Sequence, residues 1–128
     1  MPPGFSYNEE RLDRIINSLS PAFNNVLGPR HQSWWNADVY QKLAQNHIAF
    51  CGMSHPSLPD DIIQNTEVIY YRFHGRENLY QSRYSVDNLK EVADVINRRA
   101  ETKEAWCYFN NDIDANAIYN ATEMMALV

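Results

Sequence analysis

Val68-Ile69-Tyr70-Tyr71-Arg72-Phe73-His74-Gly75-Arg76 decides how this chain is read. Its first six residues are β-branched or aromatic apart from Arg72, a composition that favours a strand over a helix. Alternation at period two puts Val68, Tyr70, Arg72 and His74 on one face and Ile69, Tyr71 and Phe73 on the other. Two polar residues therefore share a face where the strand ends. In parallel α/β folds ligand sites lie at the carboxyl ends of strands.

Outward from this strand the chain alternates helix and strand. Downstream, Ser85 caps a helix that carries Leu89, Val92, Ala93 and Ile96 at helical spacing. Ala105 to Phe109 reads as an aromatic-rich strand, Asn111 and Asp112 as a turn, and a last helix begins at about Asp114. Upstream, Asn8 caps a helix with Leu12, Ile15, Ile16 and Leu19 on one stripe, and a weak strand covers Asn24 to Gly28. Asn36 then caps a helix carrying Val39, Tyr40, Leu43 and Ala44 inward, followed by a short strand from Ile48 to Gly52. Residues 53–65 contain Pro56 and Pro59 and read as a long loop. Strands separated by helices favour parallel pairing, and their near-continuous apolar character suits burial on both faces. Four strands cannot close a barrel, and an open sheet this small exposes two edges. Those edges call for a cover, either self-association or a partner chain.

At 128 residues the chain is one domain or part of one, far short of the roughly 250 residues of a whole barrel. The 45% hydrophobic and 21% charged composition is that of a globular protein, and a net charge of −5 argues against a nucleic-acid or anionic-membrane partner. Cys51 and Cys107 each sit in an apolar run, which suits buried thiols in a reducing compartment, so the cytoplasm is the expected location. The start has no basic stretch leading into an apolar core, and no later apolar run reaches membrane-spanning length. There is no Gly-rich phosphate loop, no Gly-x-Ser-x-Gly elbow and no paired-cysteine motif, so those enzyme classes lack support and no cofactor is expected.

The chemistry-bearing residues gather at strand ends. The first strand leads into Arg30-His31-Gln32-Ser33-Trp34, the third into His74 and Arg76, and the fourth into Asn110, Asn111 and Asp112. If these ends converge, Arg30, Arg72, Arg76, Asn110 and Asn111 form a donor-rich pocket for a phosphate or carboxylate, which guanidinium groups grip bidentately. His74 and His31 are the candidates for proton transfer, and Asp112 is the one acid remaining at such a pocket. Arg72 and His74 also admit a plainer role as a core polar layer satisfied by carbonyls and nearby amides. His31, His55 and His74 have no metal-motif spacing, so no metal site is assigned.

Arg30-His31-Gln32-Ser33-Trp34, Tyr71-Arg72-Phe73-His74-Gly75-Arg76, Arg83-Tyr84-Ser85 and Tyr108-Phe109-Asn110-Asn111-Asp112, in this order and spacing, resemble the YecE-like family. The resemblance runs from Pro2-Pro3-Gly4-Phe5 to the last helix. It is a family of barrel proteins of unknown function, so the resemblance implies an α/β fold equivalent to the C-terminal half of a TIM-like (β/α) barrel, with the front half absent. The family pattern has Glu where this chain has Gly28 and Asp where it has Ser54. Both missing groups are carboxylates able to serve as general base or metal ligand. Three readings follow: a binder of a phosphate- or carboxylate-bearing ligand, a non-catalytic half-barrel that dimerises or meets a front-half chain, and a metal-dependent hydrolase or nuclease-like barrel.

Overall fold

The three helix starts expected from side-chain caps all form. In the computed structural model, which describes residues 1–128, α1 spans Glu9–Ser18, α2 Ala37–Gln45 and α3 Val86–Arg98. Asn8 Oδ1 accepts the Arg11 N–H at 2.8 Å and Asn36 Oδ1 accepts the Val39 N–H at 3.0 Å. Ser85 and Asn88 exchange reciprocal bonds, Asn88 N–H to Ser85 Oγ at 3.2 Å and Ser85 N–H to Asn88 Oδ1 at 3.4 Å. Each cap answers an orphan donor of the first turn and is worth about 1 kcal/mol.

The strands are β1 (Val26–Leu27), β2 (Ala49–Ser54), β3 (Val68–Phe73) and β4 (Glu104–Phe109), all parallel in the order β1-β2-β3-β4. β1 is shorter than expected because Gly28-Pro29 follows it, and Pro has no N–H for the ladder. β2 runs on to Ser54, where Met53 and Ser54 pair with Arg72 and Phe73. The last helix, α4, is Asn116–Met125 and starts later than about Asp114. A 3-10 turn over Ile113–Ala115 precedes it, with Asp114 and Ala115 at φ 60° and 59°, and neither Asp112 nor Ala115 makes a side-chain cap bond. No helix is long and apolar enough to cross a membrane.

The helices line one face of the sheet. Phe50 and Leu27 join Leu12 of α1 and Val39 and Leu43 of α2 in one cluster. Ile69, Tyr71 and Phe73 join Leu89, Val92 and Ile96 of α3 and Met124 of α4 in another. Trp34 and Trp35 pack with the first cluster. The opposite face carries Val68, Tyr70 and Arg72, only half-buried, in register with Glu104, Trp106 and Tyr108, which are exposed. Burial on both faces therefore holds for β2 alone, whose six residues are all buried. The long loop, here 55–67, is stitched to the sheet by side chains: Asn65 Oδ1 accepts the Phe50 N–H at 2.8 Å and its Nδ2 donates to Ile48 O at 2.9 Å. That loop lies directly on β2, and a Cβ at Gly52 would stand 2.5 Å from Asp61 O.

Gly75 ends β3 with φ +103°, and a Cβ there would meet Asn78 O at 2.2 Å. Gly75→Ala should therefore cost about 2 kcal/mol or more. Gly28→Ala, whose Cβ finds ordinary contact at 3.4 Å from Cys51 Cβ, serves as the control. Urea unfolding of the two variants decides, and a Gly75→Ala protein as stable as the control would show that the turn rearranges freely.

Candidate functional site

The parallel register brings the carboxyl ends of β2, β3 and β4 to one rim. Arg72 lies level with Met53 and Tyr108. Its Nε and Nη2 both donate to Asn110 Oδ1, at 3.1 and 2.8 Å. Asn110 is held in turn by its own N–H, which donates to Phe73 O at 2.8 Å. One amide oxygen thus aims the guanidinium from two of its donors and leaves the others free.

His74 follows β3 and is 1% exposed. Its N–H donates to Ser54 O at 3.0 Å, and its ring sits between those of His55 (centroids 6.2 Å apart) and Tyr80 (5.6 Å). Neither ring nitrogen has a hydrogen-bond partner. Burial, then the positive charges of Arg72 and Arg30 and the neighbouring His55, push its pKa down to about 4. His55 is lowered too, by burial and by Arg30. The rim is thus an electropositive spot that keeps its buried histidine neutral at ordinary pH.

The charge on this rim is not answered by acid. Arg14, Lys42, Arg76, Arg83, Arg98 and Lys103 all pair with carboxylates. Arg30 and Arg72, both half-buried, pair with none, and neither do Arg11 and Arg99, which lie away from the rim and donate to Ser6 and to Ile62 O. Gly28, on the same face, presents only hydrogen toward Cys51 and Met53. The Cys51 thiol itself is pushed up to about 12 by burial, so it stays protonated.

Of the residues singled out from the sequence, the structure groups Arg30, Arg72, His74 and Asn110. It does not bring the others to them. His31 caps the 3-10 turn Gln32–Trp34, its Nδ1 2.7 Å from Ser33 Oγ. Arg76 turns to the helix side, where its Nε donates to Asp60 Oδ2 at 2.8 Å and its Nη1 lies 3.7 Å from Glu91. Asn111 is fully buried and donates to Ser82 O and Asn120 Oδ1, both at 2.9 Å, so it works as an internal clamp. Asp112 is exposed in the turn before α4. Tyr80 and Asp60 carry no sequence signal that marks them out. Tyr80 takes a left-handed φ of 63° that no turn residue announces, and Asp60, φ 56°, accepts from Tyr71 Oη as well as from Arg76. No group of three or more His, Cys, Asp or Glu side chains converges anywhere in the chain.

The depressed pKa of His74 has a consequence for stability. Below about pH 6.5 the unfolded chain takes up a proton that folded His74 refuses until about pH 4. Stability should therefore fall as pH drops through that window, by on the order of 3 kcal/mol from this residue. Urea midpoints measured from pH 7 to pH 4.5 should show the decline, and His74→Gln should flatten it. An equally steep decline in the variant would assign the effect to other groups.

Comparison with known proteins agrees with this architecture. The whole chain, residues 1–128, matches the family described as "Protein of unknown function DUF72". No curated protein matches it. A DUF72 family protein of Thermotoga maritima MSB8 superposes at TM-score 0.79 with 25% identity, over 99% of this chain and 55% of that one. A DUF72 family protein of Enterococcus faecalis V583 superposes at TM-score 0.80 with 17% identity, over 99% and 56%, and bears on the fold alone. The chain thus spans little more than half the length of these relatives. With the match running from its first residue to its last, the chain belongs to the DUF72 family.

Proposed function

We propose that this chain is a YecE-like member of the family whose strand-end rim binds a phosphate- or carboxylate-bearing ligand. Arg72 and Arg30 hold the anionic oxygens, Asn110 aims the Arg72 fork, and His74 offers ring nitrogens that no protein group satisfies. The observation that carries this reading is that two half-buried arginines without a carboxylate, Arg30 and Arg72, act together on one rim. A cation withdrawn from water needs a counter-charge, and an anion fitted to a guanidinium fork supplies one with directional bonds. A histidine held neutral adds polarity to the rim without adding charge, which suits binding better than general-base catalysis near pH 7. Two free thiols, Cys51 and Cys107, support a reducing cytoplasmic setting.

Titration calorimetry with inorganic phosphate and with a small carboxylate tests the reading. Arg72→Ala should weaken binding about tenfold or more, because a bidentate charged contact is lost, while the fold survives since the side chain is only half-buried. Asn110→Ala should weaken it less, by freeing the fork to wander. Binding that Arg72→Ala and Arg30→Ala both leave intact, or no binding by the parent chain, would overturn it.

A further inference from the structure

We infer that this chain completes its sheet with a second copy of itself, β4 of each copy pairing in parallel with β1 of the other to close an eight-stranded barrel. The inference rests on the sheet and not on the anion reading. All four strands are parallel and β1 and β4 are both unpaired on their outer sides. A twofold axis running along the strands sets β4 beside β1 of the other copy twice over, so the assembly closes with no edge left. Pairing β4 against β4 would instead leave β1 and the helix-free face open.

That face asks for cover. Val26 is 38% exposed, Trp106 49% and Tyr108 42%, all on the side away from the helices. In a closed barrel such positions fill the interior in layers. β4 has one charged residue, Glu104, at its start, and no Pro, so nothing in its sequence blocks a further strand. Four parallel strands from each of two copies give the eight of a standard barrel. Because β1 pairs over only two residues, each seam has few ladder bonds, and the interior side chains must supply most of the attraction. The same axis would bring all eight strand ends to one mouth, so the second copy's Arg30 and Arg72 would wall the rim opposite the first copy's own.

Light scattering without added anion, over a range of protein concentrations, tests the inference independently of ligand binding. The parent chain should show twice the chain mass. Trp106→Lys should raise the dimer dissociation constant about a hundredfold or more, since it places an unpaired charge in the barrel interior. Circular dichroism should report an unchanged fold for it, Trp106 being half-exposed in the single chain. Met125→Lys, at a position 69% exposed on α4, should leave the dimer intact. Amide exchange should slow at both 24–28 and 104–109 on dimerisation. A monomer at every concentration, an open-ended oligomer, a dimer indifferent to Trp106→Lys, or protection at 104–109 alone would each overturn it, the last in favour of β4 pairing with β4.

Discussion

The rim depends on a buried amide. Asn120 of α4, fully buried, accepts the Tyr84 N–H at 3.0 Å and the Asn111 Nδ2 at 2.9 Å, and donates through its own Nδ2 to Tyr84 O and Glu123 Oε2, both at 2.9 Å. Asn111 passes the connection to Ser82 O. Tyr84 passes it to β3, its hydroxyl accepting the Gly75 N–H at 2.8 Å. One side chain therefore ties the turn after β4 to the segment entering α3, and through Tyr84 to the residue next to His74. Removing it would orphan several buried backbone and side-chain groups, each costing about 1–3 kcal/mol. The spacing between Asn110 and Arg72 is inherited from this tie and from the β3–β4 ladder.

Given that geometry, the electrostatics of the rim follow from what surrounds it. Arg14, Arg76, Arg83 and Arg98 find acids, while Arg11 and Arg99 settle on Ser6 and on Ile62 O. Arg76, for example, shares Asp60 with the Tyr71 hydroxyl. Arg72 has only an amide oxygen, which accepts hydrogen bonds but carries no charge to cancel. Its field and that of Arg30 reach His74, and Arg30 reaches His55 as well, disfavouring their protonated forms. Burial is the larger cause of the low histidine pKa, and the uncompensated arginines where the strands end lower it further.

Much of the fold was legible because local rules and tertiary structure agree in it. Asn8, Asn36 and Ser85 are caps by residue type, and the apolar stripes of α1, α2 and α3 meet the sheet as their periodicity requires. The strand-end face of Arg72 and Asn110 could be read from alternation alone. What could not be read was where a side chain turns once the strand has ended. Arg76 lies two residues past His74, but the positive φ of Gly75 sends it to the helix side. His31 precedes a 3-10 turn and caps it, and Asn111 lies beside Asn110 in sequence but points into the protein. Turn geometry set those outcomes, and the start of α4 slipped for the same reason, with two consecutive left-handed residues before it.

The departures from the family pattern gain meaning in this setting. Gly28 lies on the helix-free face, where a Cβ would rest 3.4 Å from Cys51 Cβ and 3.8 Å from Met53 Cε. Met53 pairs with Arg72, and Arg72 is close enough to Cys51 to oppose the rise in its thiol pKa. A carboxylate carried at position 28, as in the YecE-like pattern, would stand near the guanidinium that now lacks an acid. Ser54, level with Phe73 and accepting the His74 N–H on its carbonyl, occupies the other position where that pattern has an acid. With Gly and Ser at these two positions, Arg72 meets only the amide oxygen of Asn110 and Arg30 meets no carboxylate, so the positive charge at the strand ends faces neutral groups alone.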